Sequence, residues 1–489
     1  MKLSDLTHEA KISAANVFDL AAHALHPSVR LGVTGLSRAG KTVFITALVN
    51  TLTNGGRLPL FRAYADGRLI GAHLAPQPDD AVPRFSIEEH LKALLDERRW
   101  PDSTRRISEL RLVLEFASET FFGKRRGSTF LTLDIVDYPG EWLLDLGLMG
   151  KTYAQWSAAT LAQSRTGARK RLASDWHKQL AGLDPNEPES EAKAKASADI
   201  FTAYLRAARQ ARDTLSALPP GRFLMPGDLE GSPMLTFAPL DIAADSEPRP
   251  GTLQAMMARR YDAYVREIVR PFFRDHFARL DRQIVLVDVL AALDAGPDAV
   301  ADLETALTDV LEAFRHGTNS WITSLFRPKV DRILFAATKA DHLHHSSHDR
   351  LEAILGRLVQ RARERAQFAG ARVDVLAISA VRATREALAR RGKSELPVIA
   401  GTPEAGEQSG DKVFTGEEEI GVFPGDLPAD PEKALLPGGY KGRADGGEGD
   451  VGILKFRPPR LETGPWEKPV LPHIRMDRVI EFLIGDKLV

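Results

Sequence analysis

The segment GLSRAGKT, residues 35–42, has residue types and spacing that suit the binding of phosphate groups. It follows an apolar run, residues 29–34, and precedes a helical pattern, VFITALVNTL. It would therefore connect a strand to a helix. Glycines at positions 35 and 40 let the backbone pass close to phosphate oxygens, and the N-terminus of a helix favours an anion. This arrangement predicts a P-loop.

Within this loop, we expect Lys41 to reach the terminal phosphates and Thr42 to bind Mg²⁺ through its hydroxyl group. Arg38 has the charge to stabilise a transition state in cis, although we favour an exposed position for it. The other residues of the loop that we expect to contact the nucleotide are Gly35, Ser37, Ala39, Gly40 and Val43.

The segment LDIVDYPGEW combines an apolar strand pattern with an acid and a turn. Asp137 ends the strand, where a magnesium-dependent P-loop needs a carboxylate. Gly140 would offer its N–H group to the γ-phosphate, so that the turn senses this phosphate. Glu141 stands where the comparable loop of small GTPases positions the attacking water. A polyanion would repel a carboxylate there, so we expect Glu141 to start the next helix, with a general base as the alternative.

The tetrapeptide TKAD, residues 338–341, follows the apolar run ILFAA. A carboxylate accepts two hydrogen bonds from the N1–H and 2-amino groups of guanine, and adenine lacks both donors. Asp341 would therefore select guanine, while Lys339 would lie along the base and Thr338 would brace the loop. A second base contact is expected after the next strand pattern, at Ser379, Ala380 and Val381.

Thr104, in RRWPDSTRR, lies between the first predicted helix and the second strand. It is our candidate for a threonine that closes over Mg²⁺, with an ordinary loop threonine as the alternative. The predicted catalytic residues are thus Lys41, Glu141 and Thr104, and the predicted metal ligands are Thr42, Asp137 and Thr104.

Four histidines lie close together in DHLHHSSHDR, at positions 342, 344, 345 and 348. His344 and His348 have the one-turn spacing of metal ligands on a helix. No acidic or cysteine partner lies at motif spacing, however. We therefore favour the start of a helix beside the guanine-recognition loop.

The composition excludes several classes of protein. The 489 residues include 65 basic and 66 acidic side chains, so no global charge attracts nucleic acid or an anionic membrane. The absence of cysteine excludes disulfides and thiolate metal sites and agrees with a reducing cytoplasm. The N-terminus lacks the apolar core of a secretory signal, and no run approaches the roughly 18 apolar residues of a membrane span. We predict a cytoplasmic protein without a span.

The elements that must position these residues predict an α/β fold. Residues 283–290, 332–337 and 373–379 form apolar runs typical of a buried parallel sheet, and helical patterns separate them. Two hairpins are predicted, one around Asp66–Gly67 and one between residues 109–116 and the strand that ends at Asp137. A helix is predicted at residues 7–24.

The chain divides into five predicted parts. A long helical stretch follows the γ-phosphate-sensing turn, and a segment rich in glycine, proline and acid precedes a closing helix. The parts are an N-terminal helix (1–28), the first part of a P-loop GTPase domain (29–146), a mostly helical insertion (147–281), the second part of the GTPase domain (282–392) and a C-terminal extension (393–489).

The order GLSRAGKT, DYPGEW, TKAD and ISAVRAT resembles the YcjX-like family of bacterial P-loop proteins over nearly the whole chain. The resemblance implies a Ras-like GTPase core with a large helical insertion. It also implies a link to stress and cooperation with an inner-membrane protein, which would make the chain peripheral to that membrane. One departure from small GTPases is Thr338, which replaces an asparagine and weakens the brace but leaves Asp341 in place.

Together these features predict a switch that binds GTP and GDP with Mg²⁺, hydrolyses GTP slowly and moves its helical insertion. Two alternatives stay open at this stage. One is a P-loop ATPase or small-molecule kinase with a helical lid, which a preference for ATP would support. The other is a nucleotide-gated scaffold with little turnover, which rates measured with and without partners would distinguish.

Overall fold

The computed structural model describes residues 27–36, 38–102, 104, 106–119, 128–211, 219–276, 279–312, 330–368, 370–391, 394–409, 412–436, 453–461 and 468–489. A seven-stranded sheet in the order β2-β3-β4-β1-β5-β6-β7 forms its centre. These strands are β1 (Ser28–Gly35), β2 (Leu69–Ala75), β3 (Ser108–Ala117), β4 (Ser128–Asp137), β5 (Arg282–Val287), β6 (Arg332–Ala337) and β7 (Arg372–Ala377).

The pairing of the strands explains where the polar residues meet. β4, β1, β5, β6 and β7 are parallel neighbours, so their carboxyl ends lie at one edge. β3 runs antiparallel to β4, as the hairpin pattern predicts, with Ser108 opposite Asp137. The loop before β3 is therefore brought to the same edge as the end of β4. This register places Thr104 beside Asp137.

Helices cover both faces of the sheet. The helix after the phosphate loop, α1 (Lys41–Asn54), ends at Gly55 in the left-handed conformation, as the Asn54–Gly55 pair predicts. The other helices before the insertion are α2 (Arg62–Ala65), α3 (Ile87–Leu95) and α4 (Gly140–Leu144). Those of the predicted insertion are α5 (Tyr153–Ser164), α6 (Gly167–Leu172), α7 (Ser174–Leu180), α8 (Glu191–Gln210), α9 (Leu253–Tyr264), a π-helical turn (Val265–Val269) and α10 (Arg270–Asp275).

The rest of the chain completes the helical layers and adds a small sheet. β8 (Arg385–Arg391), β9 (Ser394–Gly401) and β12 (Ile420–Val422) form a three-stranded antiparallel sheet, and β10 (Gln408–Ser409) pairs with β11 (Lys412–Val413). The helices are α11 (Val289–Ala295), α12 (Pro297–Glu312), α13 (His348–Leu358), α14 (Gln360–Phe368), α15 (Pro431–Leu435) and α16 (Met476–Ile484).

Two hydrophobic clusters divide the core. On one face of the sheet, Val136, Val285 and Phe335 belong to the same cluster as the aromatic side chains of the insertion. The largest buried members from the insertion are Trp156, Trp176, Phe201, Phe237, Tyr261 and Tyr264. On the other face, α1 and α16 share a cluster with Leu31, Ile135 and Ile284. The insertion and the closing helix therefore stabilise opposite faces of one sheet.

Some predicted elements differ from the structure. The run at 283–290 is strand only to Val287, because the Asp288 side chain accepts a hydrogen bond from the Ala291 N–H group (3.1 Å) and starts α11. The hairpin at Asp66–Gly67 is wrong, since α2 precedes that turn and β2 pairs with β3. The predicted helix at residues 7–24 lies outside the described residues. Among the helices described here, none is both long and apolar enough to cross a bilayer.

Candidate functional site

A cavity of about 280 Å³ lies at the carboxyl edge of the parallel strands. From the phosphate loop and α1 it is lined by Arg38, Ala39, Gly40, Lys41, Thr42 and Val43. From the loops after β6 and β7 it is lined by Thr338, Lys339, Asp341, Ser379, Ala380 and Val381. Sequence segments almost 300 residues apart, each predicted to contact one part of a nucleotide, thus face a single space. Ser37 lies outside the described residues.

The backbone of the phosphate loop depends on two glycines. Gly40, which immediately precedes α1, has a φ of 86°. Gly35 has a φ of 154°, and a Cβ there would lie 2.6 Å from the Leu286 carbonyl oxygen. The Nζ atom of Lys41 donates to the carbonyl oxygens of Gly35 (3.1 Å) and Leu36 (3.4 Å). The lysine ammonium group is therefore held against the backbone of the loop.

Burial and neighbouring charges act on Lys41 in opposite directions. Burial lowers the pKa of its ammonium group, while the carboxylates of Asp137 and Glu141 raise it. The Lys41 ammonium group would therefore attract an incoming phosphate anion, while the two carboxylates would repel it.

Three oxygen donors meet beside Lys41. The hydroxyl groups of Thr42 and Thr104 are 3.2 Å apart, and Thr104 donates to Asp137 Oδ2 (2.5 Å). The other carboxylate oxygen of Asp137, Oδ1, is buried and has no hydrogen-bond partner among the residues that the structure describes. Burial raises the pKa of Asp137 to about 6. Hard oxygen donors with an unsatisfied carboxylate oxygen fit Mg²⁺, which would replace the missing partner.

The turn after β4 rests directly on the phosphate loop. A Cβ at Gly140 would lie 2.4 Å from the Gly35 carbonyl oxygen and 2.9 Å from Lys41 Nζ. Only glycine allows this approach of the two backbones. The turn and the phosphate loop are therefore in direct contact.

Glu141 is the second residue of α4, so it starts a helix as the sequence predicts. Its side chain is only 3% exposed and lines the cavity. Its Oε1 atom lies 2.6 Å from Nη2 of Arg209, which belongs to α8 of the insertion. The sequence offers no signal for this partner, because the two residues are far apart in the chain and belong to no common motif.

At the other end of the cavity, hydrogen bonds and an ion pair fix the loops after β6 and β7. The Thr338 N–H group donates to the Val287 carbonyl oxygen (2.9 Å). Lys339 has a φ of 61° and its Nζ atom lies 2.5 Å from Asp288 Oδ2. The Asp341 carboxylate accepts from the N–H group of Ala383 (2.8 Å). This contact orients a buried carboxylate that also lines the cavity.

Sequence reasoning missed several residues that line the cavity, among them one from the loop before β3 and three from the C-terminal extension. Trp100 comes from the loop before β3, and Glu404, Lys455 and Phe456 come from the C-terminal extension. The Trp100 Nε1–H group donates to the Phe456 carbonyl oxygen (2.7 Å). Burial raises the pKa of Glu404. No short motif marks these residues, since their position depends on how the extension folds against the core.

The histidine segment is arranged differently from a metal-binding helix. His348 begins α13, and its Nε2 atom lies 2.9 Å from the Ala340 carbonyl oxygen. His344 precedes the helix, so the one-turn pair is not formed. His344 and His345 instead lie near Glu386 of β8, with one ligand atom of each residue within 4.8 Å of the others. His342 lines the cavity described above, and burial lowers its pKa.

Comparison with known proteins agrees with this arrangement. The sequence profile of the YcjX-like family, DUF463, matches residues 29–488. A protein named Ras-like GTPase YcjX from Escherichia coli is 38% identical over 471 residues, which cover 94% of this chain and 96% of that protein. Its namesake from Shewanella oneidensis is 34% identical over 482 residues, or 94% of each. The predicted Ras-like α/β core with a mostly parallel sheet is confirmed.

Proposed function

This chain belongs to the YcjX-like family, and on that premise we propose that it is a GTPase that binds GTP and GDP with Mg²⁺. The observation that carries the proposal is that Lys41 and Asp341 line one cavity. A buried lysine in a glycine-rich loop suits phosphates, and a buried carboxylate after β6 suits guanine. The names of the two relatives support the same assignment.

Each part of the nucleotide has a proposed partner. Lys41 and the N–H groups of the phosphate loop bind the β- and γ-phosphates, and Gly140 offers its N–H group to the γ-phosphate. Thr42, Asp137 and Thr104 hold Mg²⁺, directly or through water. The chemistry that the ion supplies is neutralisation of charge on the phosphate oxygens. Asp341 reads guanine, Lys339 covers the base, and a second base contact comes from Ser379, Ala380 and Val381.

The reaction is the hydrolysis of GTP by water. The water oxygen forms a bond to Pγ as the bond from Pγ to the β,γ-bridging oxygen breaks, and the electron pair stays on GDP. The protons of the water leave to phosphate and solvent. Lys41 stabilises the charge that develops on the bridge and on the γ-phosphate. The proposed slow rate follows from Glu141, which stands where an amide would orient the water.

The insertion is well placed to respond to the nucleotide. Gly221 of the insertion lies against Glu141 so closely that a Cβ there would be 2.0 Å from the Glu141 carbonyl oxygen. Its N–H group donates to Asp145 Oδ1 (2.6 Å), and the guanidinium of Arg222 lies 3.2 Å from the centre of the Trp142 ring. Movement of the turn at Gly140 would therefore be transmitted to the insertion. This coupling supports a switch.

The biological setting is part of the proposal and rests on the family resemblance. We place the protein in the cytoplasm, where it acts in a stress response. A partner protein in the inner membrane would bring it to that surface.

Calorimetry tests the proposal. GDP, a GTP analogue and an ATP analogue are titrated with Mg²⁺ into the wild type, Asp341→Ala and the control Asp175→Ala, whose side chain is 88% exposed on α7. We expect the wild type and the control to prefer guanine nucleotides. Loss of hydrogen bonds to a charged group costs about 1.5–3 kcal/mol, so Asp341→Ala should lose roughly 10- to 100-fold in GDP affinity and nothing for ATP.

The other outcomes lead to the alternative functions. Equal binding of ATP, unchanged by Asp341→Ala, would replace the proposal with an ATPase or small-molecule kinase. Tight guanine binding without phosphate release in single-turnover assays, with or without candidate partners, would favour a nucleotide-gated scaffold.

A further inference from the structure

Two histidines and a glutamate bring three metal-binding side chains together outside the cavity. His344 and His345 precede α13, and Glu386 lies on β8, 41 residues after His345. One nitrogen of each ring and one oxygen of the carboxylate lie within 4.8 Å of one another. None of these three side chains lines the cavity described above. The acidic partner that the sequence pattern lacks at motif spacing is therefore supplied by the fold.

The Glu386 carboxylate is oriented toward both imidazole rings. Its Oε1 atom accepts a hydrogen bond from the His345 N–H group (3.0 Å). Its Oε2 atom lies 2.8 Å from His345 Nδ1 and 3.9 Å from His344 Nε2. Two ligands of a tetrahedral Zn²⁺ ion lie about 3.3 Å apart, since each metal–ligand bond is about 2.0–2.2 Å long. One observed distance falls on each side of this value, so small side-chain movements would bring the carboxylate and both rings to an ion.

The protonation of the three groups also suits a metal ion. His344 Nδ1 lies 2.9 Å from the Ser346 hydroxyl oxygen, so a ring protonated at Nδ1 donates to Ser346 and presents Nε2 to the ion. In the other tautomer, Nδ1 accepts from the Ser346 N–H group (3.4 Å), and an ion at Nε2 would select the first. Burial acts to raise the pKa of Glu386, but the hydrogen bond and charge of His345 lower it overall.

We propose that His344, His345 and Glu386 form a Zn²⁺ site in which water occupies the fourth position. Two imidazole nitrogens and one carboxylate oxygen suit Zn²⁺, whereas Mg²⁺ and Ca²⁺ prefer oxygen ligands alone. His345 is 67% exposed, so water can reach the ion and the ring can carry its proton on Nε2. This inference goes beyond the proposed function and does not depend on nucleotide binding.

The ion would cross-link two segments that already contact each other. The Asp341 carboxylate accepts from the Ala383 N–H group (2.8 Å), and the Thr384 hydroxyl group donates to the Asp341 carbonyl oxygen. His344 and Glu386 follow a few residues farther along the same two segments. A Zn²⁺ ion between them would oppose separation of β8 from the loop after β6, and it would stabilise the folded protein.

The first test measures Zn²⁺ affinity by competition with a chromophoric chelator. The full chain is used without a histidine tag or nucleotide, and excess Mg²⁺ is present to occupy sites made of oxygen ligands. The ligand variants are His344→Ala, His345→Ala and Glu386→Gln. The matched controls are His73→Ala and Glu364→Gln, at exposed positions of β2 and α14.

We expect the wild type and both controls to bind Zn²⁺ with the same affinity. Each ligand variant should bind it at least about tenfold more weakly, because loss of even a group that orients a ligand costs about 10- to 100-fold. X-ray absorption at the zinc edge should show two imidazole ligands in the wild type. Zn²⁺ should also raise the Tm of the wild type and the controls, but not that of the ligand variants.

Three results overturn the site. They are a wild type that binds no Zn²⁺, unchanged affinity in any one of the ligand variants, and an absorption spectrum without two imidazoles. If one variant does not fold, as judged by its circular dichroism melt without Zn²⁺, the other two carry the comparison. Because no nucleotide is present, failure of the Zn²⁺ site is distinguishable from failure of the proposed GTPase function.

Discussion

The end of the cavity at the phosphate loop, here called the phosphate end, contains charged side chains that pair with one another. The end at the loops after β6 and β7, here called the base end, is held mainly by hydrogen bonds to the backbone. At the phosphate end, Glu141 meets Arg209 of the insertion, and one oxygen of Asp137 has no hydrogen-bond partner in the described part of the chain. At the base end, Thr338 and Asp341 are fixed by backbone groups of neighbouring loops. In the proposed function, the first arrangement would respond to an incoming anion, while the second would present a rigid shape to the base.

The two ends also recruit different parts of the chain. The insertion contacts the phosphate end through Arg209 and Gly221, and the C-terminal extension contacts the base end through Phe456. A bound nucleotide would therefore lie between the insertion and the C-terminal extension, which pack near opposite ends of one cavity. The comparison implies that phosphate-end changes alter hydrolysis and the docking of the insertion. Base-end changes should alter only the affinity for the base and the choice between bases.

The largest effect should come from removing the cation of the phosphate end. Lys41→Ala removes a buried partner of the phosphates, which costs about 3 kcal/mol or more and weakens GDP and GTP binding by at least about 100-fold. The residual binding should still prefer guanine, because Asp341 is untouched. Calorimetry with Lys92→Ala as the exposed control checks both points. If guanine preference disappears as well, the two ends are not independent.

The next effect concerns Asp145, which contacts the insertion, and the way in which the free energy of unfolding depends on pH. Burial raises the pKa of Asp145 to about 6 from 3.8, so the folded state binds this proton more tightly than the unfolded state. The contribution of Asp145 to the free energy of unfolding is therefore present below pH 4 and is lost as the pH rises through 6. Two pKa units correspond to about 3 kcal/mol.

Asp145→Asn should remove this dependence. Asparagine can still accept from the Gly221 N–H group, so the variant should gain stability relative to the wild type, by up to about 3 kcal/mol, as the pH rises from 4 to 7. Urea unfolding at several pH values measures the difference. Asp241→Asn, at an exposed position of the insertion, is the matched control substitution. A flat difference for Asp145→Asn would mean that the carboxylate ionises as easily in the folded protein as in the unfolded chain.

A smaller effect is expected where the insertion meets Glu141. The Cβ of Gly221→Ala would collide with the Glu141 backbone, so the loop must shift at a cost of about 2 kcal/mol. Gly182→Ala is the matched control, since its Cβ would lie 3.5 Å from the nearest carbonyl oxygen. We expect Gly221→Ala to slow GTP hydrolysis and to leave the preference for guanine unchanged. If Gly221→Ala destabilises the protein but leaves the rate of hydrolysis unchanged, the position of the insertion does not affect the reaction.

The sequence predicts the residues at each end that lie in contiguous motifs. Phosphate binding and guanine selection depend on local backbone shape and a few adjacent side chains. The motifs GLSRAGKT and TKAD can therefore be recognised from the sequence alone. Thr104 lies outside such a motif. It reaches Asp137 only because β3 pairs antiparallel with β4, and the hairpin pattern made that register foreseeable.

The contacts of the insertion and the extension could not be predicted. Arg209 meets Glu141, and Trp100 meets Phe456, through the packing of whole elements, and no periodicity encodes such a pair. The wrong hairpin at Asp66–Gly67 has the same origin. The turn signal is local, but β2 gains more by pairing with β3 than with the chain before the turn, where α2 forms instead.

The smallest effect should come from Trp100, and it tests whether the base end acts alone. Trp100 and Lys339 line the same cavity, and the ring packs beside Val43 and Ala380. Stacking of an aromatic ring on a base contributes about 1–3 kcal/mol, and the partly exposed ring should give the lower value.

Trp100→Ala should therefore weaken GDP binding about fivefold to tenfold, while inorganic tripolyphosphate, which has no base, binds as before. Trp100→Phe should retain most of the affinity, because it keeps an aromatic face and loses only the hydrogen bond to the Phe456 carbonyl oxygen. If Trp100→Ala weakens tripolyphosphate to the same extent, the ring supports the phosphate loop through Val43. The first turn of α1 would then belong to both the phosphate end and the base end, and the two ends would not act independently.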